Sequence, residues 1–399
     1  MAFYFTSITM NYFAKARVLC KSLKKYNPEA KFLVAISDEI PKTIKQEEEP
    51  FDYVLCTKEL ASIKNVDAFF FKHTITELCT AVKPLTAKYI MDTYGAQKVI
   101  YLDPDIGVFD KLEELESFLD NNSIVLTPHQ LEPEENDIYV RENEILFLKR
   151  GTYNFGFFGV KNDDEGRRFL TWWGKRLYDY CFDDDYSLYD ELKKDGLIGM
   201  FTDQKWIDLV PSFFERYHII REPGYNVCTW NMSRRHIEKK ENKYFVNGKP
   251  LYFFHFSGYD SGGHRNELKK SLLYYPHNVD VYYLTEWYDN QLYENGEAKI
   301  ATIEFAYGKY SNGETISDKD RKLFHLRKDI HHLFMKPYEI DDGFCFYNWV
   351  RENYEKYYVE TDLNSKEAEK MRFFNGKAFL LFFPYHSKRR ELIKKIMRK

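Results

Sequence analysis

Asp103-Pro104-Asp105 follows the apolar run Val99-Ile100-Tyr101-Leu102. Two carboxylates at the end of a buried strand are the chain's clearest opening for chemistry. The run is β-branched at its start and reads as a strand buried on both faces, which belongs in a largely parallel sheet. In extended chain, residues i and i+2 point the same way, so Asp103 and Asp105 can aim at one point. Pro104 fixes its own φ and biases Asp103 towards extended backbone. Ligands of open α/β sheets sit beyond the carboxyl ends of the strands. Convergent carboxylates there suit a hard divalent cation that carries a phosphorylated ligand. His255 ends the aromatic run Tyr252-Phe253-Phe254 and precedes Ser257-Gly258 and Gly262-Gly263. It is the best candidate for a third ligand, and the glycines let backbone N–H groups approach phosphate. A site of two carboxylates and one imidazole takes Mn²⁺ or Mg²⁺. A polar turn after a core strand and a hydrogen-bonded core histidine are the alternatives without chemistry.

The elements that must position these groups begin as β-α-β, which signals a parallel sheet. Ala2 to Ile8 reads as a strand. Asn11 to Tyr26 reads as a helix with Phe13, Ala16, Leu19, Cys20 and Leu23 on one face, and Lys31 to Ile36 as a second strand. Phe51 to Cys56 is a short third strand, and Ser123 to Thr127 is the strand after the carboxylates. Thr74 to Met91 is helical, with Pro84 kinking or restarting it. Asn154 to Val160 alternates glycine with bulky apolar residues, a sign of close backbone approach. Glu165 to Tyr180 is a helix that buries Phe169, Trp172, Trp173 and Leu177, and Thr202 or Asp203 caps another. Leu251 to Phe256 is an aromatic strand.

Beyond the glycine-rich loop the alternation fades. Helices are expected over Lys269–Tyr275, Val279–Asn295, Ser317–Phe334 and Phe344–Tyr358. The expected division is an α/β catalytic domain at 1–262 and a mainly helical domain at 263–399, the latter serving acceptor, oligomer or membrane contact. The end, Arg389 to Lys399, is basic and sets Leu392, Ile393, Ile396 and Met397 on one helical face. It packs on the body or touches a membrane surface.

A chain of 399 residues has room for two domains. Its 58 basic and 62 acidic residues leave a net charge of −4, so nothing global argues for nucleic acid. Six scattered cysteines match no zinc or haem spacing and fit a reducing compartment. Met1 to Thr6 lacks the basic and apolar regions of a signal peptide. No apolar run approaches the roughly 20 residues that span a bilayer. A cytoplasmic location is expected, with peripheral contact at the inner membrane through the basic C-terminus.

Taken in order, these residues resemble the GT-A glycosyltransferases. They are most similar to the retaining family that includes glycogenin and the bacterial lipooligosaccharide galactosyltransferases. The family's Asn-Tyr pair after the first strand matches Asn11-Tyr12, and its Tyr-Leu-Asp-x-Asp matches Tyr101 to Asp105. Its Asn-x-Gly resembles Asn154-Phe155-Gly156, its Asp-Gln helix start matches Asp203-Gln204, and its His-x-x-Gly matches His255 to Gly258. The resemblance covers roughly residues 1–262.

That resemblance implies a Rossmann-like, mostly parallel sheet with flanking helices, and a UDP-sugar-dependent hexosyltransferase. Tyr12 would stack on the uracil ring. Thr6, Asn11, Lys83, Asp103 and Gly258 would contact the nucleotide and its diphosphate, and Asp103, Asp105 and His255 would hold Mn²⁺. Asn154, Asp203 and Gln204 would surround the donor sugar, the last two on the β-face of its anomeric carbon. Transfer with retention to a glycan, lipid-linked or protein acceptor, in bacterial surface polysaccharide or glycoconjugate synthesis, is implied with it.

The chain departs from the family in two places. A lysine expected three residues after the His-x-x-Gly glycine is Ser261 here, with His264 and Arg265 the nearest cations. An expected arginine is Lys83, with Lys88 next, and lysine lacks arginine's bidentate fork. Gly308 to Gly313, Arg321 and Lys336-Pro337 resemble the C-terminal portion of bacterial transferases that build surface polysaccharides. Two alternatives accompany this reading. A sugar-nucleotidyltransferase would carry a glycine-rich triphosphate loop where Thr6 to Lys15 has no glycine. The other is a catalytically inactive sugar- or nucleotide-binding protein on a transferase fold.

Overall fold

The structure is a computed structural model that describes residues 2–183, 200–341 and 343–357. The basic stretch Arg389–Lys399 lies outside them. The described residues form two compact units, one from 2–62, 75–183 and 200–305, the other from 63–74 and 306–357.

The first unit is built on a seven-stranded sheet. Its strands in chain order are β1 (Ala2–Ile8), β2 (Lys31–Ile36), β3 (Tyr53–Cys56), β4 (Lys98–Leu102), β6 (Ile124–Leu126), β7 (Phe157–Lys161) and β8 (Tyr217–Ile219); β5 (Ile106–Val108) lies outside it. The order across the sheet is β3-β2-β1-β4-β7-β6-β8. Only β7 runs against the rest, antiparallel to both β4 and β6. This is the α/β architecture the sequence leads one to expect. β1, β2 and β4 are apolar along nearly their whole length and buried, as parallel strands covered on both faces must be. The helix Phe13–Tyr26 lays Phe13, Ala16, Leu19 and Leu23 on that sheet. The expected helix across 74–91 is two, Ile75–Ala81 and Lys83–Tyr94, with Pro84 in the first turn of the second, where proline's missing N–H costs nothing.

Three further strands, β9 (Ile237–Lys240), β10 (Lys243–Val246) and β11 (Lys249–Pro250), make a small antiparallel sheet. The last strand, β12 (Phe253–His255), pairs with β5. The compact units do not part at the expected 262/263 division, because residues 263–305 fold with the first unit. The helix Val281–Glu294 buries Val281, Leu284, Tyr288 and Leu292 in one core with Phe254 and Phe256. The Tyr288 ring lies flat on Phe256, with centroids 4.0 Å apart and an interplanar angle of 1°. No described helix is long and apolar enough to cross a membrane.

The second unit takes the short helix Val66–Lys72 into a core with the helices Asp318–Leu326 and Phe346–Tyr357. Phe71 meets the rings of Tyr310, Phe324, Tyr338 and Phe346. The helix expected to run from Ser317 to Phe334 stops at Leu326, where Arg327 leaves helical backbone. The buried Arg321 guanidinium instead donates to the carbonyls of Phe71, at 2.9 Å, and of Tyr307, at 2.5 Å.

Candidate functional site

The sheet brings the chemistry to one edge. β4 ends at Leu102, and its antiparallel neighbour β7 begins opposite it at Phe157. Asp103 is therefore beside Gly156, to whose carbonyl its N–H donates at 2.7 Å. Asp103 and Asp105 do converge, but through a turn and not through the alternation of an extended strand: the Ile106 N–H donates to the Asp103 carbonyl at 3.1 Å, and β5 starts there. β12 then pairs His255 with Ile106, and the Phe256 N–H donates to the Asp105 carbonyl at 2.8 Å. The outcome is a cluster in which His255 Nε2 is 3.1 Å from Asp105 Oδ1 and 3.8 Å from Asp103 Oδ2.

One oxygen or nitrogen from each of Asp103, Asp105 and His255 lies within 4.8 Å of the others. Two hard oxygens and an imidazole at that separation fit a divalent cation. Gly156 keeps the space open, since a Cβ there would sit 2.5 Å from His255 Cε1 and 2.9 Å from Asp103 Oδ2.

Lys83 joins this cluster to a third carboxylate. Its Nζ is 3.0 Å from Asp203 Oδ2, 3.5 Å from Asp103 Oδ1 and 3.0 Å from the Phe155 carbonyl. Burial works against the Lys83 charge, but Asp103 and Asp203 outweigh it and raise its pKa. Burial dominates at Asp203, whose pKa is raised in spite of Lys83. At Asp105 burial also pushes upward, and the adjacent His255 overcomes it and lowers the carboxyl; His255 is raised in turn by Asp105 against its own burial. Tyr101 donates its hydroxyl to Asp103 at 2.5 Å.

These groups wall an open cavity of about 940 Å³, together with Tyr12, Asn154 and Gln204. Asn154 Oδ1 accepts from the Gly156 N–H at 2.9 Å and from Asn226 at 3.1 Å. Gln204 Nε2 donates to the Arg150 carbonyl at 3.2 Å. Thr202 has φ +39°, and Asp203 follows it without capping the helix Gln204–Ile207, its carboxylate being taken by Lys83. The Tyr12 ring has the Lys15 ammonium 3.8 Å above one face, and Lys15 is itself paired with Asp260.

Thr6, Asn11 and Gly258 do not line this cavity; their neighbours Ser7, Thr9, Tyr12 and Ser257 do. Thr6 faces away from Ser7, as successive strand residues must. Neither cation near Ser261 reaches the cavity wall. His264 is buried against Thr285 at 3.0 Å, and burial pushes its pKa down to about 4. Arg265 is held by Asp289 at 2.7 Å.

One wall of the cavity has no counterpart among the residues singled out from the sequence. The helical stretch from Asp137 to Arg150 contributes Arg141, Glu142, Asn143, Leu146, Phe147 and Arg150 to the cavity, and Trp230 and His129 stand beside it. The spacing of Asn143, Leu146, Phe147 and Arg150 at three and four residues was the available signal.

No family model matches the chain. It is 26% identical over 274 residues to the uncharacterized protein YfnF of Bacillus subtilis strain 168, covering 64% of this chain and 81% of that protein. To the uncharacterized protein YfnD of the same organism it is 24% identical over 187 residues, or 47% and 55% of the two chains. Among solved structures it is similar to the galactosyltransferase LgtC in complex with donor and acceptor sugar analogues, at 16% identity and TM-score 0.38 over 68% of this chain and 95% of that one. It is also similar to the glycosyltransferase GlyE of Streptococcus pneumoniae TIGR4, at 19% identity and TM-score 0.33 over 57% and 46%. Mouse xyloside xylosyltransferase 1 is similar at 15% identity and TM-score 0.37 over 64% and 96%.

Proposed function

We propose that the chain is a metal-dependent glycosyltransferase. In this reading it moves a hexose from a UDP-sugar to a glycan, lipid-linked or protein acceptor, with retention, in bacterial surface polysaccharide or glycoconjugate synthesis. The observation that carries the proposal is the meeting of Asp103, Asp105 and His255 on the wall of one cavity that also holds Tyr12, Asn154 and the Lys83–Asp203 pair. Cleaving a sugar–phosphate bond leaves charge on the diphosphate, and a bound Mn²⁺ or Mg²⁺ supplies the stabilisation of that charge as it develops. Asp103, Asp105 and His255 are the residues that would hold it.

The chain's own groups do the rest. Lys15 covers one face of the Tyr12 ring, so the uracil stacks on the other. The wall residues Ser7, Thr9 and Ser257, near Thr6, Asn11 and Gly258 in the chain, are the ones that would face the nucleotide. Lys83 offsets part of the cost of burying Asp203 and fixes its carboxylate beside the donor sugar. Gln204 and Asn154, each held by hydrogen bonds to neighbours, complete the polar surround of an oxocarbenium-like carbon. A cytoplasmic site of action, with peripheral contact at the inner membrane through the basic C-terminus, belongs to the same proposal.

The test is a panel of nucleotide sugars incubated with the chain and Mn²⁺ or Mg²⁺. Release of the nucleoside diphosphate from at least one, abolished by excess chelator, is the expected result. Binding of UDP and Mn²⁺ with no donor cleaved would leave an inactive binding protein. Pyrophosphate formed from a nucleoside triphosphate and a sugar phosphate would make it a nucleotidyltransferase.

A further inference from the structure

The cavity wall carries more positive charge than the proposed donor chemistry uses. Its charged residues outside the Asp103 cluster are Arg141, Glu142, Arg150, Glu267 and Lys270. Lys270 pairs with both Glu142 and Glu267, so those three satisfy one another. Arg141 and Arg150 have no carboxylate partner among the described residues. Arg150 is half-buried, and its Nε is shut off from solvent with nothing to bond. The guanidinium is 5.1 Å from the Phe201 ring, a cation–π contact that helps fix its orientation. A fixed, partly desolvated guanidinium with an open fork is built to take an oxyanion.

The same wall has an aromatic platform. Phe147 stacks on His129 at 4.5 Å and meets Trp230 edge-on at 5.7 Å, while His129 is 5.1 Å from Trp230. Phe147 and Trp230 are half-buried and turned to the cavity. Apolar ring faces beside a few placed polar groups are what a sugar site needs. The helical stretch that carries Arg141 and Arg150 contains a π-turn over Val140–Glu144, a feature that often marks functional positions. Asn143 in that turn is fixed by Glu134 at 2.7 Å.

We propose that this wall is the acceptor subsite, and that the acceptor is a glycan bearing an oxyanion. The Arg150 guanidinium grips a sugar carboxylate or phosphate while the adjoining ring lies on Phe147 and Trp230. The acceptor role rests on the transferase reading; the anionic-glycan site does not.

The experiment uses the whole chain with UDP and Mn²⁺ at saturation, so that the diphosphate anchor is filled. Binding of methyl glucoside, methyl glucuronide and methyl glucoside 6-phosphate is then measured by ligand-observed NMR. The expected result is a preference of about tenfold or more for an anionic glycoside over the neutral one, and the favoured anion names carboxylate or phosphate. Arg150→Gln removes the preference, Arg150→Lys keeps part of it, and Trp230→Ala weakens all three ligands alike. Equal binding of the three glycosides by the natural chain overturns the proposal. A preference that survives Arg150→Gln overturns it as well. So does a preference confined to donors, UDP-glucuronate over UDP-glucose. Donor cleavage without acceptor is scored separately: a chain that prefers anionic glycosides but cleaves no nucleotide sugar loses the transferase reading and keeps the anion site.

Discussion

Gly156→Ala tests whether the site works as a metal centre, because one methyl group presses on two of its three candidate ligands. The new Cβ would lie 2.5 Å from His255 Cε1 and 2.9 Å from both Asp103 Oδ2 and Asn154 Oδ1, whereas ordinary contact begins at 3.4 Å. The imidazole must retreat by about 0.9 Å and the carboxylate by about half that. Metal–ligand distances tolerate about 0.2 Å, so the three donors no longer fit one ion. We expect Mn²⁺ affinity, measured by EPR titration, to fall about 100-fold, and donor cleavage by a similar factor. Overpacking costs about 1–3 kcal/mol, so the protein stays folded by circular dichroism. Gly159→Ala is the control. It lies three residues further on, inside β7, its Cβ would meet a methyl of Leu119 at 3.3 Å, and it should leave Mn²⁺ binding unchanged. Natural affinity and turnover in Gly156→Ala would refute the placement of the ion among Asp103, Asp105 and His255.

Lys83→Met strips a buried charge from between Asp103 and Asp203; it should cost about 3–5 kcal/mol in urea unfolding, and Lys83→Met with Asp203→Asn should cost less than the sum of the two, as a double-mutant cycle will show. Burial lowers the pKa of His129 and His264 to about 4, so below pH 6.5 the unfolded chain binds more protons than the folded one. Each histidine should then remove up to about 1.4 kcal/mol of stability per pH unit between pH 6.5 and 4; His129→Phe should flatten that slope in denaturant melts, and an unchanged slope would contradict the assignment. In the second unit, Arg321→Ala leaves the carbonyls of Phe71 and Tyr307 without their charged donor, and a loss of about 3 kcal/mol or more is expected by hydrogen exchange of that unit.

The apolar runs of β1, β2 and β4 were legible because strands buried on both faces leave little room for polar residues. The members of the carboxylate–imidazole cluster were legible too, since carboxylates and an imidazole ending such strands have few structural uses. Their convergence was expected, but on the wrong ground: it comes not from the alternation of an extended strand but from the turn at Pro104 and the antiparallel pairing of β5 with β12, a contact between residues far apart in the chain. Asp203 looked like a helix cap and is instead drawn to Lys83, an override of local preference by a buried ion pair. The Asp137–Arg150 wall was not legible, because its π-turn over Val140–Glu144 shifts the apolar phase part-way along. His264 and Arg265 sat next to Ser261 in sequence, yet Thr285 and Asp289, from the helix Val281–Glu294, claim them.

The most direct measurement is the rate of UDP-sugar cleavage by the natural chain and by Asp105→Asn, each with Mn²⁺ and with excess chelator. Asp105 contacts His255 and no lysine or arginine among the described residues, so its amide keeps the fold while giving up a negative ligand. Metal-dependent cleavage is expected in the natural chain, with a rate at least about 100-fold lower in Asp105→Asn, close to that of the natural chain in chelator. Equal rates in the two proteins, or cleavage indifferent to chelator, would contradict the proposal.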